Sequence, residues 1–151
     1  MDPISIATAS ACLVRLSVTV SGYIYTYVSN TRNVDTTIRL LAAEIDSLAR
    51  VVGSIQECFS DPSLANAALS SQTGHEGNRW RNVHRSMNDC KNTLNYLEQV
   101  MEKVKKGKMG VFGRAVKLQM NSTEITSLKQ QIAAYRETLQ LSLQIITVYI
   151  I

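Results

Sequence analysis

The chain has 151 residues, 45% of them hydrophobic and 19% charged, with only 2 Pro and 7 Gly. That length suits one domain around a single core. The composition excludes a disordered chain, a collagen-like chain, a disulfide scaffold and a Gly-rich α/β enzyme. Lys+Arg outnumber Asp+Glu by 16 to 12, a net charge of +4; so mild an excess carries meaning only through where the bases fall.

The first element is predicted over about 3–29. Asp2 can cap it, and Pro3 suits the first helical position, where its missing N–H costs nothing. Ile4, Ile6, Leu13, Val14, Leu16, Val18, Val20, Ile24 and Val28 nearly encircle this helix, and Arg15 is the single charge between residues 3 and 31. The β-branched residues of 18–28 would also suit a strand, but the length and the helical context favour a helix.

The second helix, about 34–60, has the clearest period. Val34, Ile38, Leu41, Ile45, Leu48, Val52, Ile55 and Phe59 advance by alternating steps of four and three, a heptad seam that puts one apolar stripe against neighbouring helices. Arg39, Glu44, Asp46, Arg50 and Glu57 fall off the seam and are expected to face water. Such a seam serves an intermolecular coiled coil or an intramolecular bundle equally well. Residues 61–77, rich in Ser, Asn, Gly and Gln, read as a loop.

The third helix, about 78–106, repeats the pattern in Trp80, Val83, Met87, Cys90, Leu94, Leu97, Met101 and Val104. Lys105, Lys106 and Lys108 sit where the helix dipole favours cations, and Gly107 is the expected stop. The fourth helix, about 121–150, opens on Asn121 with Glu124 three residues on, a relative of the capping box. Ile125, Leu128, Ile132, Tyr135 and Leu139 form its seam, and no charge follows Glu137. An apolar end of this kind is expected to be covered by another element or by further chain. Together the elements predict an all-α fold: one antiparallel four-helix bundle spanning 1–151, with a mostly apolar N-terminal helix wrapped by the other three.

Chemistry-bearing patterns are sparse. Cys12, Cys58 and Cys90 are distant and odd in number, which reads as buried free thiols in a reducing cytosol rather than a disulfide framework. His75 and His84 show no ligand spacing with any cysteine, so no metal site is expected. Asp46, Glu57, Glu98 and Glu102 form no Glu-x-x-His pair, and a Gly-rich phosphate loop and a nucleophile elbow are both missing. The expectation is a protein that is not an enzyme, with no catalytic residue, no cofactor and no small-molecule substrate. Asn121-Ser-Thr matches a glycosylation acceptor, but the Met-Asp-Pro start lacks the basic n-region of a secretory signal, and in the cytosolic chain expected here the tripeptide reads better as a helix start.

Two surface features remain. An uncharged run of ~20 residues is long enough to cross a bilayer, yet Arg15 and the interspersed Ser, Thr and Ala make the first helix a poor constitutive span. The better resting reading is a buried bundle helix, inserted only if released, with Ile4, Ile6, Leu13, Leu16, Val20 and Ile24 as the insertion candidates. From 103 to 117 the sequence carries Lys103, Lys105, Lys106, Lys108, Arg114 and Lys117 without an acid. Interleaved with Val111, Phe112, Val116, Leu118 and Met120, these bases suit an anionic lipid surface, although a solvated loop accounts for them too. One aromatic makes no stacking platform, so nucleic acid is not expected. Ile38, Leu41, Ile45, Leu48, Trp80, Leu94, Leu97, Leu128 and Ile132 are the predicted core.

The opening Met1-Asp-Pro-Ile-Ser-Ile-Ala-Thr-Ala-Ser and its Ala/Val/Leu-rich helix resemble the N-terminal domain of fungal NLR-like (STAND) proteins, described as HeLo-like. The resemblance extends through Ile38-Arg-Leu-Leu-Ala-Ala-Glu-Ile-Asp-Ser-Leu, Cys90-Lys-Asn-Thr-Leu-Asn-Tyr-Leu, Ile125-Thr-Ser-Leu-Lys-Gln-Gln-Ile and Leu139-Gln-Leu-Ser-Leu, and so covers nearly the whole chain. It implies a helical effector domain ahead of a nucleotide-binding or repeat region. Such domains look like the bundles of fungal heterokaryon incompatibility proteins and the four-helix domain of the mixed-lineage kinase-like pseudokinase. There, activation exposes the first helix, the bundle oligomerises and it attacks the membrane. Some toxic members carry acids in that helix, whereas here Asp2 is the only acid before Asp35.

Two functions follow as expectations. The first is a cytoplasmic signalling or cell-death effector of innate immunity that moves to an anionic membrane on activation, oligomerising or answering to a downstream regulatory domain. The second is an adaptor or oligomerisation bundle without membrane activity.

Overall fold

The computed structural model describes the backbone over residues 3–30, 36–61, 63, 75–110 and 122–150, and the side chains over 5–29, 36–61, 63, 81–103 and 123–144. Among the described residues there are four helices and no strand: α1 (Pro3–Asn30), α2 (Thr36–Ser60), α3 (His75–Gly110) and α4 (Ser122–Ile150). The β-branched stretch 18–28 is helical throughout. Packing on its buried side outweighs the small intrinsic preference of Val, Thr and Ile for strands.

Two helix ends differ from expectation. α3 begins at His75, inside the stretch read as loop, and runs through Gly107 to Gly110. A glycine caps a helix where it takes the left-handed conformation itself; inside a continuing helix it is tolerated at a cost of about 1 kcal/mol. At the other ends, α1 and α4 start and finish within a residue of the predicted limits. Asn121 and Val34 lie outside the described residues.

The helices form a four-membered ring rather than a core helix with a sheath. α1 packs on α2 and α3, and α4 packs on α2 and α3. α1 and α4 lie on one diagonal, α2 and α3 on the other. The expectation that α1 is wrapped by all three neighbours is therefore corrected: it has two, and a whole face is left outside. The five residues 31–35 reach at most ~18 Å, too little to return along a helix of ~40 Å, so α2 runs antiparallel to α1. Ser10, near the start of α1, meets Met87 in the first half of α3, so α3 ascends beside α1 and α4 descends beside α2.

The shared interior is apolar and built by spacing. Ile38, Leu41, Ala42, Ile45, Leu48, Val52, Ile55 and Phe59 of α2 are buried. They meet Ile6, Leu13, Leu16, Val20 and Ile24 of α1, Val83, Met87, Cys90, Leu94, Leu97 and Met101 of α3, and Ile125, Leu128, Ile132 and Leu139 of α4 in one cluster. Tyr135 is half-buried and exchanges a hydroxyl hydrogen bond with Thr93 at 3.2 Å, tying α4 to α3.

Candidate functional site: the first helix and its attachments

α1 is the least ordinary element. Its inner side holds five apolar side chains and three buried serines, Ser10, Ser17 and Ser21. Ser10 Oγ donates to its own helix at Ile6 O (2.7 Å) and also lies 3.9 Å from Met87 Sδ. Ser17 Oγ is buried without a hydrogen-bond partner, an arrangement that costs stability. The outer side presents Thr8, Ala11, Arg15, Val18, Gly22, Tyr25, Thr26 and Ser29 at successive helical turns, all exposed. Val18 is 62% exposed and Tyr25 50%, so this face is uncharged except at Arg15.

Of the insertion candidates, Ile6, Leu13, Leu16, Val20 and Ile24 all point into the core; the side chain of Ile4 lies outside the described residues. The stretch Ser5–Ser29 has a mean hydropathy of 1.3 over its most apolar window, with 39% of that window buried. By length and composition it could cross a bilayer, although the core helix of a soluble bundle passes the same measure.

Of the lipid-docking candidates, Lys103 is exposed on α3. Lys105, Lys106 and Lys108 belong to the last turns of the same helix, with side chains outside the described residues, as are Arg114 and Lys117 entirely. Because α3 ascends beside α1, the lysines lie toward the end of the bundle where α1 carries Tyr23, Tyr25 and Tyr27. Of the predicted core residues, Ile38, Leu41, Ile45, Leu48, Leu94, Leu97, Leu128 and Ile132 are buried; the Trp80 side chain is outside the described residues.

Two acids expected to face water do otherwise. Glu44 and Asp46 are half-buried on opposite flanks of the α2 seam, each engaged with a different neighbour. Glu44 Oε1 accepts from Arg136 Nε of α4 at 2.5 Å, and Arg136 Nη1 also reaches Gln140 Oε1 at 3.3 Å. The Glu44 hydrogen bond raises the Arg136 pKa, outweighing the opposing effect of burial. Asp46 Oδ1 accepts from Ser21 Oγ at 2.6 Å and Asp46 Oδ2 from Tyr25 OH at 2.7 Å. The hydrogen bond to Asp46 is the main cause that raises the Tyr25 pKa, followed by burial and the carboxylate charge, with Arg50 pulling the other way. These partners were missed because a seam assigns a helix its inner face and says nothing of its flanks. The available signal was an acid immediately beside a seam position, which a neighbouring helix can reach.

All three cysteines are free. Cys90 is fully buried, and desolvation pushes its thiol up to about 12. Cys12 and Cys58 are half-buried rather than interior, which corrects the expectation of three buried thiols. Burial, and then the neighbouring Glu57 charge, raise the Cys58 thiol. No group of three or more His, Cys, Asp and Glu that could hold a metal ion occurs among the described residues.

No curated protein and no solved structure matches the chain. One family model does, over residues 1–150. The chain therefore belongs to the family "Pigment biosynthesis cluster protein PigL N-terminal", a helical N-terminal domain family from fungi.

Proposed function

We propose that this domain is a signalling or cell-death effector module that associates with anionic membrane when α1 leaves the bundle, and that it oligomerises there. The observation that carries the reading is α1 itself: 28 residues with one charge, lined inside by apolar side chains and three serines and nearly uncharged outside. The finer resemblance, to HeLo-like domains of NLR-like immune and incompatibility proteins, belongs to this proposal, as does a cytoplasmic resting state. Membership of an N-terminal domain family supports a module that works with a region following it.

Energetics shape how release would work. Returning Ile6, Leu13, Leu16, Val20 and Ile24 to water would cost about 8–15 kcal/mol, at ~1.5–3 kcal/mol per side chain. That rivals the whole stability of a small domain, so α1 leaves only into another apolar medium, and release and membrane entry are one event. Arg15 near the middle of Ser5–Ser29 would cost about 2.5–3.5 kcal/mol at the bilayer centre, which favours α1 lying in the interface over crossing it. The lysines at the end of α3 would each add about 1 kcal/mol near an anionic surface, and the tyrosines of α1 suit the headgroup level.

Sedimentation and dye leakage with phosphatidylserine-containing vesicles test this. Binding is expected at low salt and is expected to weaken as salt screens the lysines, with neutral vesicles bound poorly. Val18→Lys should reduce leakage more than sedimentation, since it adds a second charge to α1 and leaves the docking bases alone. Absence of binding at low salt, also after removal of any downstream region, would overturn the reading.

The exposed, nearly uncharged face of α1 favours a second reading, an adaptor or oligomerisation bundle without membrane activity. It predicts a soluble oligomer by light scattering that is indifferent to lipid.

A further inference from the structure

The attachments of α1 to its neighbours are unequal. Most are apolar contacts, which hold a helix in place without fixing its rotation. The Ser10–Met87 contact is a weak one to sulfur. At Asp46 the attachment has a different character. Ser21 and Tyr25 are one turn apart, so their hydroxyls project from the same flank of α1, and each takes a separate oxygen of one carboxylate, at 2.6 and 2.7 Å. Two hydrogen bonds to a charged acceptor are stronger than neutral ones and, at two points, set rotation as well as position. One donor is buried and the other exposed: Ser21 is 5% exposed and Tyr25 50%. The attachment therefore begins in the interior and ends at solvent, on the C-terminal half of α1.

We infer that Asp46, with Ser21 and Tyr25, is a latch that holds the C-terminal half of α1 on α2, and that opening this latch is the first step in freeing α1. The first part concerns docking alone; the second rests on the membrane reading above. Asp46 is a positioning residue, acting through α1. The raised Tyr25 pKa, caused first by its hydrogen bond to Asp46, agrees with the geometry. The nearby Arg50 guanidinium, one turn along α2, opposes that shift. Tyr25 also lies on the exposed stripe of α1, so a ligand seated on that stripe would compete directly with the latch.

Backbone amide exchange on the full 151-residue chain tests the docking part. Asp46→Ala, and independently the pair Ser21→Ala with Tyr25→Phe, should speed exchange in residues 17–29 roughly tenfold relative to α3 and α4. Leu94→Ala serves as the control, because a core cavity should speed exchange in all four helices together. A uniform rise in the latch variants, or no rise in α1, would overturn the latch. If Asp46→Ala does not fold, the hydroxyl pair carries the same test. The release part is read separately, as dye leakage from phosphatidylserine-containing vesicles. Leakage several-fold above wild type supports it, and leakage equal to wild type with α1 exchange raised overturns it while the docking part stands.

Discussion

α1 and α2 are neighbours of similar length, 28 and 25 residues, built on opposite rules. In α2 every buried position is apolar and the exposed face carries Arg39, Arg50 and Glu57. In α1 three of the buried positions are serines, while Val18, Gly22 and Tyr25 face solvent. A seam such as that of α2 specifies one face so strongly that rotating the helix would bury charge. α1 carries a smaller penalty: rotated, it would bury the single charge of Arg15 among otherwise uncharged groups. Its orientation is set in part by its partners, through the two hydroxyl hydrogen bonds to Asp46 on one flank.

The contrast makes measurable claims. The largest effect is expected from the α2 seam: Leu48→Ala, fully buried, should cost about 2–5 kcal/mol in denaturant unfolding. A loss below ~1 kcal/mol would mean that the seam does not line the core.

Next comes the interior that both helices line, reported by Cys90. Its folded pKa near 12 exceeds the ordinary value of 9.0, so the folded state keeps a proton that the unfolded chain loses. Stability from this group is complete below about pH 9 and declines as pH rises toward 12, by up to about 4 kcal/mol. Cys90→Ala should abolish that part of the alkaline decline, measured as the difference between the two unfolding-versus-pH curves. Identical slopes would show that the thiol is hydrated.

A smaller effect separates the two helices directly. Ser17→Ala in α1 should be neutral or stabilising by about 1 kcal/mol, because it removes a buried hydroxyl without a partner. Ala42→Ser in α2, at a fully buried site, should cost about 1–3 kcal/mol for the opposite reason. Equal responses would dissolve the distinction between a strict and a permissive inner face.

The smallest is a pair expected to agree. A Cβ at Gly22 of α1 or Gly53 of α2 meets nothing within 4 Å. Gly22→Ala and Gly53→Ala should therefore each stabilise by about 0.5–1 kcal/mol through helix propensity. A loss at Gly22 alone would show that the outer face of α1 is covered by something, a second copy included.

How far the chain could be read in advance follows the same division. The seams of α2, α3 and α4 named buried residues such as Ile45, Leu94 and Ile132 from spacing alone, because a 3,4 alternation has one solution on a helix. The end of α3 was misplaced at Gly107, since a local stop signal carries no knowledge of what packs beyond it. Asp46 and Glu44 were assigned to solvent because flank positions take their character from whichever helix stands alongside.

Periodicity and the absence of helix breakers thus suffice for four long helices, their inner faces and an all-α bundle, because these rest on chemistry repeated along one chain. Which helices touch is another matter. That α1 has two neighbours instead of three, that its outer side stays open, and that one carboxylate of α2 takes two of its hydroxyls are consequences of the ring arrangement. Contacts between residues far apart in sequence arise only when the helices assemble, and no local spacing encodes them.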